Sequence, residues 1–473
     1  MAYAIDITRT STTPGFSREL SAFVAYHQLQ MDGWQQLLTG TGDVTLTAPD
    51  GTKKTVPSWE KVMSAGSGVV TQAKTEADRA KTEATKAEAS AASASHAVSA
   101  AALPLPDVWA PLSDSLRLIT GNGRDVLVGS DVVARMVNFT RNTTKTYQAK
   151  DGSLKIAAVN EPAFESNGLL MEGRSTNLIA NHATPTSAQQ CTSSGTEPAP
   201  MAGNDAKVYQ VTDASGGPYV RFGSAVSGAA ADTKTASVWV KALNRQLTFI
   251  LDCEDGVPKE VVVPIGMWTR LSTTRTAQSA GFSNFFDVGI KSGAAQVGDR
   301  FAVWGGQLEV LPFASSLIMT SGAAATREAD RAWIQASGNI GRVGTISVIA
   351  TPLNPLMPRA FVFGASGFGG VEASGGGSYL FTGLGQSSIF IPIGLDKNTK
   401  VFARRVTAVT FGAADRSAVT SMEPGGADWG DFIHIGGVLT AGAHKLPFWG
   451  HLRDFKVWME PRNLSDAQLK AVA

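Results

Sequence analysis

Cysteine is nearly missing from this chain, with two residues, Cys191 and Cys253, in 473. That excludes a disulfide-stapled scaffold, in which bridges stand in for a small core. The opening MAYAIDITRT has no basic stretch leading into an apolar run, so no secretory leader is expected and both thiols are expected to be reduced and buried. Long apolar runs are also lacking, and no segment reaches the roughly 18 residues that a membrane-spanning helix needs. Neither charge sign is in excess: 41 Lys and Arg stand against 40 Asp and Glu, a net charge of +1. This removes the usual electrostatic argument for a nucleic-acid or anionic-membrane partner.

Signatures of chemistry are absent as well. There is no G-x-S-x-G elbow, no G-x-x-x-x-G-K-[ST] phosphate loop and no H-E-x-x-H pair. The six histidines, at 27, 96, 182, 434, 444 and 451, show no metal-ligand spacing, so no metal is expected. Calcium would want a D-x-D-x-D loop, and none is present. A glycosidase needs two carboxylates facing across a sugar. The expected strands carry no such pair, and Asp428 and Asp431 in "ADWGDF" are explained by a loop turn. The repeats of a β-helix depolymerase are not found. The chain reads as a non-enzyme without a cofactor.

What the sequence does contain falls into three kinds of text. Residues 17–40 have helical periodicity through Leu20, Phe23, Val24, His27 and Met31, stopped by Gly40. "GDVTLTAPDGTKKTVPSW" then alternates and turns at Asp50–Gly51, a hairpin signal. Residues 1–58 are thus expected to form an α+β adaptor. Next comes a stretch in which thirteen of the thirty residues from Ala73 to Ala102 are alanine. Val70, Ala73, Ala77, Ala80, Ala84, Ala87, Ala91, Ala94, Val98 and Ala101 step three, four, three, four without a break. That alternation is the a/d seam of a left-handed coiled coil, so residues 59–103 are expected to be a trimeric stalk, with a dimer as the runner-up. Alanine buries little area, so other parts of the molecule must help hold the oligomer together. Along one helix, Lys74 with Asp78 and Arg79 with Glu83 are expected to pair four residues apart.

Pro104, Pro106 and Pro111 then end the helix. From there on, short alternating strands are punctuated by Gly, Asn, Asp and Pro. In "KTASVWVKAL", Ala236, Val238 and Val240 point one way and Ser237, Trp239 and Lys241 the other. "QLTFILD", "RFAVWGGQLEV", "GTISVIAT" and "RDFKVWME" behave alike. Without intervening amphipathic helices, these strands predict a mainly β fold of two antiparallel β-sandwiches of jelly-roll type. The expected divisions are a linker with lead-in strands over 104–160, a first sandwich over 161–330 and a second over 331–473, with the seam near 321–333.

Some of these residues resemble a known family. "FTRNTTKTYQAKDGSLKIAAVNEPAFESNGLLMEGRSTNLI", residues 139–179, resembles a segment recurrent in tail-fibre and receptor-binding proteins of tailed bacteriophages. "TASVWVKA", "GMWTRLS" and "VWGGQLEVLPFASSLIMTSGAAATREAD" look like the carbohydrate-binding-module-like jelly roll that follows it there. "GHLRDFKVWMEPRNLSDAQLKAV" is similar to the closing strand and short helix of laminin-G or concanavalin-A-like sandwiches. The resemblance implies a homotrimeric adhesin made in the bacterial cytoplasm and carried on the virion tail. Residues 1–58 would dock on a tail or baseplate protein, and the sandwiches would meet a host-surface glycan or outer-surface protein. A baseplate part without receptor contact and a polysaccharide-cleaving tailspike are the alternatives. The resemblance assigns no binding residues.

Aromatic side chains supply the remaining signal, because pyranose rings present flat apolar faces to them. Seven of the ten tryptophans lie after residue 230. Trp304 and Trp458 sit within alternating strands and are expected in the core. Trp429 and Asp431, in the Gly- and Asp-rich "EPGGADWGDFIH", together with Trp449, Trp239 and Trp268, are the candidate ligand residues.

Overall fold

The computed structural model describes residues 16–48, 50–101, 103–121, 123–224, 233–253, 258–276, 284–335, 343–354, 359–364, 370–374, 378–382, 389–391, 399–405, 409–413, 416–419, 432–440, 443–459, 464 and 468. The chain divides into two compact units, residues 1–96 and 97–473. No described helix is long and apolar enough to cross a membrane.

In the first unit, helix α1 (Phe16–Thr39) ends at Gly40, as the periodicity predicts. The hairpin of Asp43–Thr47 with Lys53–Pro57 packs on one face of it. Gly33 lets the two approach, since a Cβ there would lie 3.0 Å from Leu46 Cδ2, and Gln30 Nε2 donates to Thr47 O at 2.5 Å. At the hairpin turn Asp50 Oδ1 accepts from Thr52 Oγ1 at 2.7 Å and from Thr52 N at 2.9 Å. These bonds hold the Asp50 carboxyl below its ordinary pKa. Ser58 then caps helix α2 (Trp59–Ala101), its Oγ accepting from Lys61 N at 3.3 Å. α2 is one uninterrupted helix of 43 residues, and every described side chain on it is exposed in the single chain. Its ion pairs are spaced three apart rather than the expected four: Arg79 reaches back to Glu76 at 3.4 Å and Lys86 to Glu83 at 2.9 Å.

The second unit is built from antiparallel sheets, as the alternating strands predict. One sandwich pairs two five-stranded sheets. The first sheet runs Cys191–Pro198, Asp205–Val211, Arg300–Glu309, Thr233–Ala242 and Trp268–Thr276. The second runs Ser187–Gln189, Tyr219–Ser224, Asn284–Ile290, Leu247–Asp252 and Lys259–Val263. Ala236, Val238 and Val240 point into the shared core with Phe222, Phe249 and Phe286, on the face that the alternation assigns them. Both cysteines are free and buried, and burial pushes the Cys191 thiol up to about 11.

A larger sandwich has an eight-stranded sheet centred on Val343–Pro352 and Gly450–Met459, facing a seven-stranded sheet that contains Arg331–Gln335, Ala360–Gly364 and Phe432–Ile435. Its strands are not confined to residues 331–473. Val108–Ala110 and Gly168–Met171 both pair with Gly450–Met459, and Asn138–Thr140 pairs with Arg331–Gln335. The smaller sandwich is therefore inserted between Gly168–Met171 and Arg331–Gln335. This revises the expected sequential division: residues 104–160 supply strands to the larger sandwich instead of merely leading into the smaller one. The chain enters and leaves the insertion through one two-stranded neck, Ser175–Asn177 with Ala325–Arg327.

A buried charge network surrounds that neck. Asp330 accepts from Arg141 Nη1 at 2.9 Å, from Lys145 Nζ at 2.6 Å and from Glu172 N at 2.8 Å. Glu172 in turn pairs with Lys145 at 3.1 Å and Arg327 at 3.2 Å. Arg141 uses its other donors on the carbonyls of Thr143, Ala158 and Glu161. Arg141, Lys145 and Glu172 lie within residues 139–179, and Arg327 and Asp330 within residues 303–330. Their side chains hold the insertion to its host sandwich.

Candidate functional site

The strand register brings two of the sequence candidates together. In the pairing of Thr233–Ala242 with Trp268–Thr276, Trp239 lies opposite Arg270 and Lys241 opposite Trp268. Side chains alternate across a strand, so these four share the face turned away from the sandwich core. Arg270 Cζ sits 4.4 Å from the centre of the Trp239 ring, and Lys241 Nζ lies 5.8 Å from that of Trp268. Lys241 also forms an ion pair with Glu197. Trp268 is half-buried, its indole N–H donating to Pro198 O at 3.2 Å.

Most of this face is covered. Gln307 and Glu309, on the neighbouring strand, bind the segment 315–318 back across it. Ile318 N donates to Gln307 Oε1 at 2.6 Å, and Ser315 N donates to Glu309 Oε2 at 3.0 Å. Trp239 is consequently only 9% exposed and packs on Trp304, with ring centres 5.8 Å apart. Gly305 makes that packing fit: its φ is +71°, and a Cβ there would lie 2.7 Å from the Trp239 ring.

What stays open is a cleft of about 370 Å³ whose lining includes Trp239, Trp268, Arg270, Tyr147, Gln148 and Glu165. Arg270 Nη2 donates to Ser237 Oγ at 3.0 Å and Ser315 O at 2.8 Å, while its buried Nε has no hydrogen-bond partner among the described residues. Burial pulls the Arg270 guanidinium below its ordinary pKa, against the opposing pull of Glu309, Glu172 and Glu165. Glu165 Oε2 faces His451 Nε2 at 2.8 Å, and its Oε1 accepts from Gln148 N at 2.7 Å. Glu172 also lines the cleft. Burial pushes its carboxyl up, but the adjacent Arg327 and Lys145 cations and the bonds from Ser316 outweigh this and hold it at about 2.

The other candidates fall elsewhere. Trp449 is not a ligand platform but a core residue, 4% exposed, with its ring 5.4 Å from Phe313 in an edge contact and Arg327 at 5.8 Å. "LPFWGH" reads as a loop locally, and the partners that bury Trp449 are far away in sequence. Trp429 and Asp431 lie outside the described residues. Trp304 and Trp458 are in the core as expected. The sequence reading missed Arg270, Tyr147 and Glu165. Arg270 was within reach, since it follows Trp268 by two in "MWTRLS" and therefore shares its face. Among the described residues, no group of three or more His, Cys, Asp or Glu side chains is placed to hold a metal ion.

No family model matches the sequence, and no curated protein does. Among solved structures, the chain is similar at 14% identity to a variant of a family 29 carbohydrate-binding module, over 29% of this chain and 91% of that one, with a TM-score of 0.18. It is similar at 15% identity to carbohydrate-binding and catalytic modules of a Clostridium thermocellum endo-1,4-β-D-xylanase complexed with xylohexaose, over 38% of this chain and 30% of that one, with a TM-score of 0.19. Tandem family 22 carbohydrate-binding modules from Paenibacillus barcinonensis match at 10% identity, over 60% of this chain and 98% of that one, with a TM-score of 0.20.

Proposed function

We propose that this chain is a receptor-binding protein of the phage tail-fibre type, which attaches to a host-surface glycan through the cleft between Trp239, Trp268 and Tyr147. The observation that carries the reading is the grouping in one open cleft of a half-buried tryptophan, an arginine whose buried Nε has no partner among the described residues, and the polar side chains of Gln148 and Glu165. Stacking on an indole face beside a few hydrogen-bonding groups is how a protein holds a sugar ring. The tail-fibre assignment is supported by the resemblance at 139–179 and 303–330. In that reading residues 1–58 dock on the tail or baseplate, and α2 joins its counterparts in a parallel homotrimer. The strict three-four alternation and the exposure of its described seam positions, Val70 to Ala94, support the trimer.

Hydrolysis would need one protonated carboxyl as a general acid. Glu172, held at about 2 and surrounded by Lys145, Arg327 and Ser316, cannot play that part.

Trp268→Ala in the full chain is the direct test. Losing a stacked ring costs about 1 kcal/mol or more, so binding to host cells or surface polysaccharide should fall roughly 5-fold or more while the protein stays folded. Unaltered binding by this variant would remove the cleft from the reading.

A further inference from the structure

Helix α1 has a second apolar face that the hairpin does not use. Leu20, Val24, His27, Met31, Trp34 and Leu38 are spaced four, three, four, three and four apart, the alternation of a coiled-coil seam. The five apolar members are between 41% and 66% exposed, and His27 is exposed beside them. The face toward the hairpin is different: Phe23, Tyr26, Gln30, Gly33 and Leu37 are half-buried. So α1 is amphipathic twice over, and only one of its apolar stripes has a partner among the described residues.

The flanks of the bare stripe say what would fit it. With Val24 at an a position, the e and g positions next to the seam are Ser21, Phe23, Gln28, Gln30, Gln35 and Leu37, none of them charged. The charged residues of α1 are Arg18, Glu19 and Asp32, and they fall at b and c, away from the seam. Identical helices can therefore meet along this stripe without like-charge repulsion at its edges. α2 extends the same logic toward its start. Counting back from Val70, its a/d positions are Gly66, Met63 and Trp59, and Met63 and Trp59 are also exposed. On the order of 100 Å² is bare on each of the eight large residues of the two stripes, about 800 Å² per chain, which is one partner's share of a standard interface. That is the anchoring area the alanine seam lacks.

We infer that the Leu20–Leu38 stripe of α1 is an intermolecular helix–helix seam, and that its occupant is α1 of other copies of this chain. The inference rests on the self-association proposed above and assigns its main anchor to α1 instead of the alanines of α2.

The experiment uses the full-length protein. His27 lies near the middle of α1, so it meets its counterpart whichever way the helices run. His27→Cys should form an interchain disulfide under mild oxidation. Ala22→Cys, at an f position on the opposite side, should not. The native thiols are buried and give little background. A Val24→Glu/Met31→Glu variant should lower the mass measured by light scattering, with helix content by circular dichroism retained. A wild-type chain of monomer mass, near 49.5 kDa, would overturn both this seam and the trimer. An oligomeric wild type with no His27→Cys cross-link, and with unchanged mass in the double variant, would overturn the α1 seam alone and leave the α2 coil standing.

Discussion

Asp330→Asn should destabilise the sandwiches by about 3–5 kcal/mol, the usual cost of removing one member of a buried ion pair. Asp330 is fully buried and is the shared acceptor for Arg141, Lys145 and the Glu172 amide. An asparagine keeps one acceptor oxygen, turns an NH₂ group toward a cation, and leaves Arg141 and Lys145 short of compensating charge. The surface provides an internal comparison. Arg174 and Glu328 pair at 3.2 Å two residues along the chain from Glu172 and Asp330, but their side chains are 65% and 41% exposed. Breaking that pair with Glu328→Gln should cost no more than about 1 kcal/mol. Tryptophan-detected urea unfolding of the two full-length variants measures both. Equal, small shifts would show that the network is not what joins the neck to its host sandwich.

Period-two alternation placed the strands, and it also sorted Ala236, Val238 and Val240 from Ser237, Trp239 and Lys241 correctly. What lay on the second face was out of reach of that pattern. Covering it depends on Gln307 and Glu309 binding segment 315–318, a tertiary arrangement that strand alternation does not encode. The cleft was half legible for the same reason: Trp239 and Trp268 stood out as aromatics, but their grouping with Arg270 depends on register. The nested order of the sandwiches was hidden as well, because the strands 108–110, 138–140 and 168–171 are short and their partners lie some 190–350 residues away. Charged residues are normally read as solvated surface. Arg141, Lys145, Glu172 and Asp330 break that rule, and only the fold shows that they neutralise one another.

The same network should make stability fall in acid through Glu172. Its carboxyl titrates at about 2 in the folded chain, against an ordinary 4.5, because Arg327 and Lys145 favour the charged form more strongly than burial disfavours it. A folded-state pKa below the unfolded one means that the unfolded chain binds the proton more readily. The stabilisation is therefore complete above pH 4.5 and drains away as the pH falls from about 4.5 toward about 2. A depression of this size corresponds to something on the order of 3 kcal/mol. The exposed aspartates Asp50, Asp114, Asp151 and Asp213, whose hydrogen bonds also hold them low, titrate nearby. Wild type therefore has to be compared with Glu172→Gln, which keeps those groups and removes one titration. At pH 6 the variant should be the less stable, because Lys145 and Arg327 then lose a counter-charge. Between pH 5 and pH 3 the gap should narrow by more than half, since wild type progressively loses the Glu172 contribution and the variant has none to lose. Urea midpoints at half-unit pH steps measure that gap directly. Two curves that stay parallel down to pH 3 would assign the acid sensitivity to other carboxylates and remove Glu172 from the account.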